Sequence, residues 1–100
     1  MTGPQLEFHP QALQEAENAV AWYAERSMRA AERFVEEMEV AAAAIGEAPE
    51  RWSRFDGEAR RMFLRRYPYV VIYRVLTNRI QVLAVAHGRR RPGYWRERLK

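Results

Sequence analysis

Tyr69-Val70-Val71-Ile72-Tyr73-Arg74-Val75 and Ile80-Gln81-Val82-Leu83-Ala84-Val85-Ala86 are the two stretches that decide the fold. Both are rich in β-branched and apolar residues and neither has a helical period, so both read as strands. Leu76-Thr77-Asn78-Arg79 between them reads as a turn, with Asn78 able to take a positive φ. The second run is nearly continuous in apolar residues, the pattern of a central strand covered on both faces. Upstream, Arg60 to Arg66 reads as a further strand, with Met62 and Leu64 on one face and Arg61, Phe63 and Arg65 on the other. Tyr67-Pro68 separates it from the next. The three strands therefore form an antiparallel meander.

Further out, the period changes. From Gln11 to Arg26 the apolar residues Leu13, Ala16, Val20 and Tyr23 fall three and four apart, one face of an amphipathic helix. Pro10 suits its first turn, and Glu15, Glu17 and Glu25 lie off the stripe. Ser27 reads as the N-cap of a second helix, from about Arg29 to Ala48, with the stripe Ala31, Phe34, Met38, Ala41 or Ala42, and Ile45. Gly46 and Pro49 end it, and the two helices make a hairpin. Leu6-Glu7-Phe8 reads as a short first strand, and Pro92 to Leu99 as a short basic tail. The expected fold is α+β: an N-terminal strand, a helical hairpin packed on one face of a small sheet, the meander, and the tail.

Composition narrows the function. One hundred residues, 48% hydrophobic, suffice for a single domain spanning 1–100 with an ordinary core. There is no cysteine, which excludes disulfides, thiolate metal sites and cysteine nucleophiles. No apolar run reaches the ~18 residues of a membrane span, and Met1 to Pro10 lacks the basic start of a secretory signal. A cytoplasmic protein without cofactor or metal is expected. Residues 1–50 carry ten acids against three arginines, a net of −7, and residues 51–100 carry fourteen bases against three acids, a net of +11. Sixteen of the seventeen basic residues are Arg, whose planar fork suits phosphates and carboxylates. The basic half fits a polyanion or an acidic protein partner.

Three segments taken together carry a resemblance: Ala21-Trp22-Tyr23-Ala24-Glu25 with Ala31-Glu32-Arg33-Phe34 in the helices, Arg65-Arg66-Tyr67-Pro68-Tyr69 running into Val70–Val75, and His87-Gly88-Arg89-Arg90-Arg91-Pro92-Gly93-Tyr94-Trp95 after the last strand. From Leu6 to Leu99 the chain resembles the RelE/ParE superfamily of type II toxins. The resemblance implies a toxin neutralised by a cognate acidic antitoxin in a toxin–antitoxin hetero-oligomer. It implies one of two actions, inhibition of DNA gyrase (ParE-like) or ribosome-dependent cleavage of mRNA (RelE-like).

Metal-free RNA cleavage needs proton-transfer groups and cations around the scissile phosphate. Under the resemblance the nuclease residues are Arg61 and Arg65, Arg89, Tyr94 (about one position early) and His87, an imidazole being the side chain suited to proton transfer. Phe63 stands where a second basic residue is often found. Val70 stands in the place of the central strand's arginine, with Arg74 four positions later. That departure favours the gyrase inhibitor, an action needing no chemistry by this chain. His87 has a second reading, as a cap on the strand end, and Asp56 and Glu58 flanking Gly57 read as turn residues. His9, before Pro10, belongs to a turn.

The expected target-binding set is Arg89, Arg90, Arg91, Tyr94, Trp95 and Arg96, since arginines interleaved with aromatics serve phosphate contact, base stacking or a protein hot spot. For Trp95 a packing role over the sheet is the competing reading. Trp22, Tyr23, Tyr69 and Tyr73 are assigned to the core or to the groove that receives the antitoxin, and Trp52 to a lid over the core.

Overall fold

The computed structural model describes residues 5–100. Strand β1 (Gln5–Phe8) leads through His9 into helix α1 (Pro10–Arg26). The His9 imidazole Nδ1 accepts from Gln11 N at 3.1 Å, and Pro10 occupies the first turn, where its missing N–H costs nothing. Ser27 alone joins α1 to α2 (Met28–Glu47). Its extended backbone (φ −164°, ψ 113°) ends α1 through Ser27 N to Tyr23 O at 2.7 Å. Its hydroxyl accepts from Ala30 N at 3.1 Å and opens α2, a cap worth about 1 kcal/mol.

Four strands follow: β2 (Arg54–Asp56), β3 (Ala59–Phe63), β4 (Tyr69–Val75) and β5 (Arg79–His87). A short 3-10 helix (Tyr94–Leu99) ends the chain, opened by Gly93, whose φ of +76° is the left-handed region. The sheet order is β1-β5-β4-β3-β2, with β1 parallel to β5 and every other pair antiparallel. The two strands that set the fold are therefore central neighbours.

The sheet differs from the sequence reading at β2, at the end of β3 and at the β4–β5 turn. The sheet has a fifth strand, β2, which makes a hairpin with β3 across Gly57 (φ +59°); three residues, two of them charged, show no alternation to read. β3 stops at Phe63 rather than Arg66, because Arg65 N and Arg66 N donate to the Glu37 carboxylate on α2 and the chain bends away. The β4–β5 turn closes through Leu76 N to Arg79 O at 2.8 Å, and among the described residues only glycines have positive φ, so Asn78 does not use the left-handed region.

The helices cover one face of the sheet and the 3-10 helix the other. Opposite Ile72 lies Ala84 and opposite Tyr73 lies Val82, so Leu83 is an extra residue in β5. This bulge shifts the alternation by one. Val82 and Val85 both face the helices with Val71, Tyr73, Ala12, Phe34 and Ile45. Ala84, Ala86 and Ile72 pack beneath Trp95 on the other face. β5 is thus covered on both sides, as its composition requires. Phe34 is central to an aromatic group, with Tyr23, Tyr67 and Tyr69 ring centroids 5.6, 5.2 and 5.4 Å away. Trp52 is half-buried against this core, and its carbonyl accepts from Arg60 at 2.6 Å.

The α2 stripe lies where the sequence puts it, with Ala31, Phe34, Ala41 and Ile45 buried and Met38 half-buried. The α1 stripe does so in part, with Ala16, Val20 and Tyr23 half-buried against the core. Ala12 and Ala19 are the buried residues, while Leu13 is 47% exposed. Small side chains let α1 lie close against β5, and Leu13 at the edge of the stripe stays in water. Among the described residues no helix is long and apolar enough to cross a membrane.

Candidate functional site

β1 pairs with β5 only as far as Phe8 opposite Val82, and His9 N to Val82 O (2.8 Å) is the last backbone bond between them. The chain then leaves as α1. Beyond that point β5 has no strand on this side, and its buried amide and carbonyl groups need other partners. Two charged side chains supply them. Glu15 on α1 accepts from Val85 N at 3.0 Å, and Arg98 of the 3-10 helix donates to Leu83 O at 2.9 Å. Arg98 donates two charge-assisted hydrogen bonds to Glu15, Nη1 to Oε1 at 3.0 Å and Nη2 to Oε2 at 2.8 Å. Tyr94 OH donates to Glu15 Oε2 at 2.8 Å. The Arg90 guanidinium lies 3.7 Å from the same oxygen and 3.7 Å above the Tyr94 ring.

Burial alone pushes the Glu15 carboxyl up, but the hydrogen bonds from Arg98, Tyr94 and Val85 outweigh it and hold the group below the usual carboxylate range. Burial and the Glu15 contact push the Tyr94 phenol up, so it stays protonated as a donor. The contact with Glu15 likewise raises Arg98. Because Glu15 is more acidic folded than unfolded, its stabilisation is complete above the unfolded pKa and is lost as pH falls toward the folded one. The melting temperature is therefore expected to fall below about pH 5. In Glu15→Gln this acid-dependent fall is expected to be shallower, from a lower starting value; thermal melts across pH measure it.

Beside this cluster is a cleft of about 540 Å³ between α1 and the ends of β4 and β5. Trp22, Tyr23 and Tyr69 form its aromatic wall, and His87, Arg89 and Arg90 its basic side. Trp22 is 51% exposed, held edge-on to Tyr23 (5.0 Å) and stacked under Arg26 (3.6 Å). Burial raises the Tyr23 and Tyr69 phenols, which are neutral walls at any ordinary pH. The His87 ring meets Tyr69 edge-on at 5.1 Å, and its Nδ1 accepts from Arg89 N at 3.0 Å. That is the strand-end cap, and it leaves the Nε2 edge as the one a ligand would meet.

A second cleft, of about 480 Å³, crosses the outer face of the sheet. Arg61, Arg90, Arg91 and Arg96 line it with Phe55 and Phe63. The Arg61 guanidinium sits 4.4 Å from the Phe55 centroid and 5.2 Å from that of Phe63. Arg96 is held by Asp56, Nη2 to Oδ2 at 2.6 Å and Nε to Oδ2 at 2.8 Å. Val70 lies in this lining. The two clefts share His87 and Arg90.

The anticipated residues are accordingly divided. Trp22, Tyr23 and Tyr69 come together with Arg89 and Arg90. Tyr73, assigned to the groove, is fully buried and its hydroxyl donates to Pro49 O at 2.6 Å, so it presents no surface to a partner. Trp95, assigned to target binding, is 2% exposed and packs over the Ala-rich outer face. Of the nuclease set, Arg61, His87 and Tyr94 line the outer cleft and Arg89 the other. Arg65 lies apart with Arg66, Arg33 and Glu37 beside α2. Glu15 and Arg98, which organise the site, were invisible as such. Only the position of Glu15 between Ala12 and Ala19, on the small-residue face, could have marked it.

The chain packs a helical hairpin on one face of a five-stranded sheet. Its fold resembles the solved structure titled "Chromosomal ParDE TA system from P. aeruginosa", with a TM-score of 0.74 and 16% identity over 84% of this chain and 95% of that one. Residues 6–92 match the family described as the ParE toxin of the type II toxin–antitoxin system parDE, and the chain belongs to that family. No curated protein sequence matches the chain significantly.

Proposed function

We propose that this ParE-family toxin acts by binding DNA gyrase, and that an acidic antitoxin segment neutralises it by lying in the cleft between α1 and β5. The observation that carries the reading is an incomplete nuclease set: Val70 takes the place of an arginine, the Tyr94 hydroxyl is committed to Glu15, and Arg65 lies beside α2 rather than in the cleft of Arg61, His87 and Tyr94. Exposed Arg89, Arg90 and Arg91 remain to contact the target. The aromatic wall opposite Arg89 and Arg90 suits a peptide that alternates apolar and acidic side chains.

Antitoxin-free protein added to gyrase, ATP and relaxed plasmid is expected to abolish supercoiling and trap linear DNA. Arg89→Ala combined with Arg91→Ala is expected to weaken that inhibition by about tenfold or more, the scale of lost charge-assisted contacts. Growth arrest without any effect on gyrase, together with cleavage of ribosome-bound mRNA, would replace this reading with the RelE-like one. Antitoxin affinity is expected to fall steeply as salt rises from about 0.05 to 0.5 M. An affinity independent of salt contradicts an electrostatic interface.

A further inference from the structure

The outer face of the sheet carries more aromatic surface than its packing uses. Phe63, the last residue of β3, is 63% exposed, and Phe55 on β2 is 37% exposed. The Arg61 guanidinium is within cation–π reach of both rings. Two residues apart on β3, Arg61 and Phe63 share this face. Val70, Ile72, Ala86 and Trp95 give the cleft an apolar floor. Its rim holds four arginines against one acid, Asp56. Two of the four are engaged, Arg96 by Asp56 and Arg90 by Glu15 and the Tyr94 ring. Among the described residues, Arg61 and Arg91 have no carboxylate within ion-pair distance.

The polar chemistry of this lining is one-sided. An arginine side chain donates hydrogen bonds and accepts none. Asp56 is held by Arg96, and the Tyr94 hydroxyl is committed to Glu15. His87 Nδ1 accepts from Arg89 N, which leaves Nε2 of the neutral ring to donate. Among the described residues, no Ser, Thr, Asn or Gln lines the cleft. The fitting occupant brings acceptors and flat rings rather than donors. A peptide backbone has an N–H at nearly every residue, and RNA has a 2′-hydroxyl on every sugar. The DNA backbone has acceptors only. In a duplex the base faces are stacked on one another, whereas in a single strand they are free to lie on an aromatic ring. We infer that the outer cleft holds single-stranded DNA, with an unpaired base on Phe63 and phosphates on Arg61 and Arg91, and does not cleave it. The inference goes beyond gyrase binding. Phe63 and Arg61 belong neither to the antitoxin cleft nor to the set Arg89, Arg90 and Arg91.

The test uses the full chain alone, without gyrase or antitoxin, and labelled strands of roughly 12 nucleotides. Oligodeoxyuridylate and oligouridylate differ only in the 2′-hydroxyl. The deoxy strand is expected to bind about threefold or more tighter than the ribo strand, and about tenfold or more tighter than a duplex of the same length. Phe63→Ala, at an exposed site, is expected to keep the wild-type melting curve and to weaken binding about tenfold, the scale of one lost stacking contact. Phe63→Tyr keeps the ring and is expected to bind as the wild type does. Arg61→Gln is expected to make the fall of log K with log salt shallower by about 0.7, one phosphate contact on a single strand. Failure of the deoxy strand to bind, equal binding of the duplex, or binding that survives Phe63→Ala overturns the proposal. So does equal or tighter binding of the ribo strand, or its cleavage, since the occupant is then RNA. A glutamate-rich peptide that binds as tightly as the deoxy strand and is lost in Phe63→Ala also overturns it, since the cleft is then a protein surface. No readout here involves gyrase, so failure of this inference leaves the gyrase reading standing.

Discussion

Arg98→Met is expected to destabilise the protein by about 3–5 kcal/mol, because it leaves the Glu15 carboxylate charged, 86% covered and without its main partner. The side chains of Glu15 and Arg98 are only 14% and 8% exposed, so water cannot replace what is lost. Leu83 O loses its donor at the same time, a further contribution of about 1–3 kcal/mol if it stays dry. In a domain this size such a loss lowers the melting temperature by about 12 °C or more. Glu15→Leu with Arg98→Met removes both charges, and the double variant is expected to recover part of the loss rather than add to it. Full recovery is not expected, since Val85 N and Leu83 O still lack partners. Urea unfolding of the two single variants and the double measures the coupling. Strict additivity would mean that the two side chains do not act as a unit.

Trp95→Ala is expected to cost about 3–5 kcal/mol. The indole lies on Ala59, Ile72, Leu83, Ala84 and Ala86, a floor made mostly of small side chains. Phe55, with its centroid 5.9 Å away, is the large neighbour able to lean into the vacancy. A floor of alanines has little reach to close a cavity of indole size, so the cost sits high in the usual range. The effect is also bounded. Trp95 and Arg98 hold the same short helix, and once it detaches neither interaction remains to be lost. The variant carrying both changes is therefore expected to be scarcely less stable than the worse single one. Limited proteolysis after Arg89, Arg90 or Arg91 is expected to accelerate in either variant, reporting the released tail.

What could be read from the sequence, and what could not, divides by distance along the chain. The α2 stripe, the Ser27 break and the paired strands β4 and β5 depend on neighbours within a few residues, and the sequence pattern carries them. On α1 the buried line runs through Ala12 and Ala19 at the border of the Leu13, Ala16, Val20 and Tyr23 stripe. That line is set by the close approach of β5, which no local period encodes. β3 was overextended because its end is set by Glu37, 28 residues upstream of Arg65. The site shows the same split. Trp22, Tyr23, Tyr69, Arg89 and Arg90 were recognisable as residue types suited to a partner, and they do share a cleft. Tyr73 and Trp95 looked the same in sequence and are buried, since a bulky aromatic fills a core as well as it grips a ligand. Glu15 and Arg98 lie 83 residues apart, and their roles come from a gap in the sheet that exists only after folding.

That gap has a further consequence for the behaviour of the chain in crowded solution. An uncovered strand edge is a template on which any extended segment can nucleate, and proteins commonly blunt such edges with charge. Here one carboxylate and one guanidinium occupy the amide and carbonyl that an invading strand would need on β5. Their removal should therefore cost solubility as well as stability, with aggregates forming at temperatures where the protein is still mostly folded. An edge occupied in this way is protected from self-templating without any covering strand.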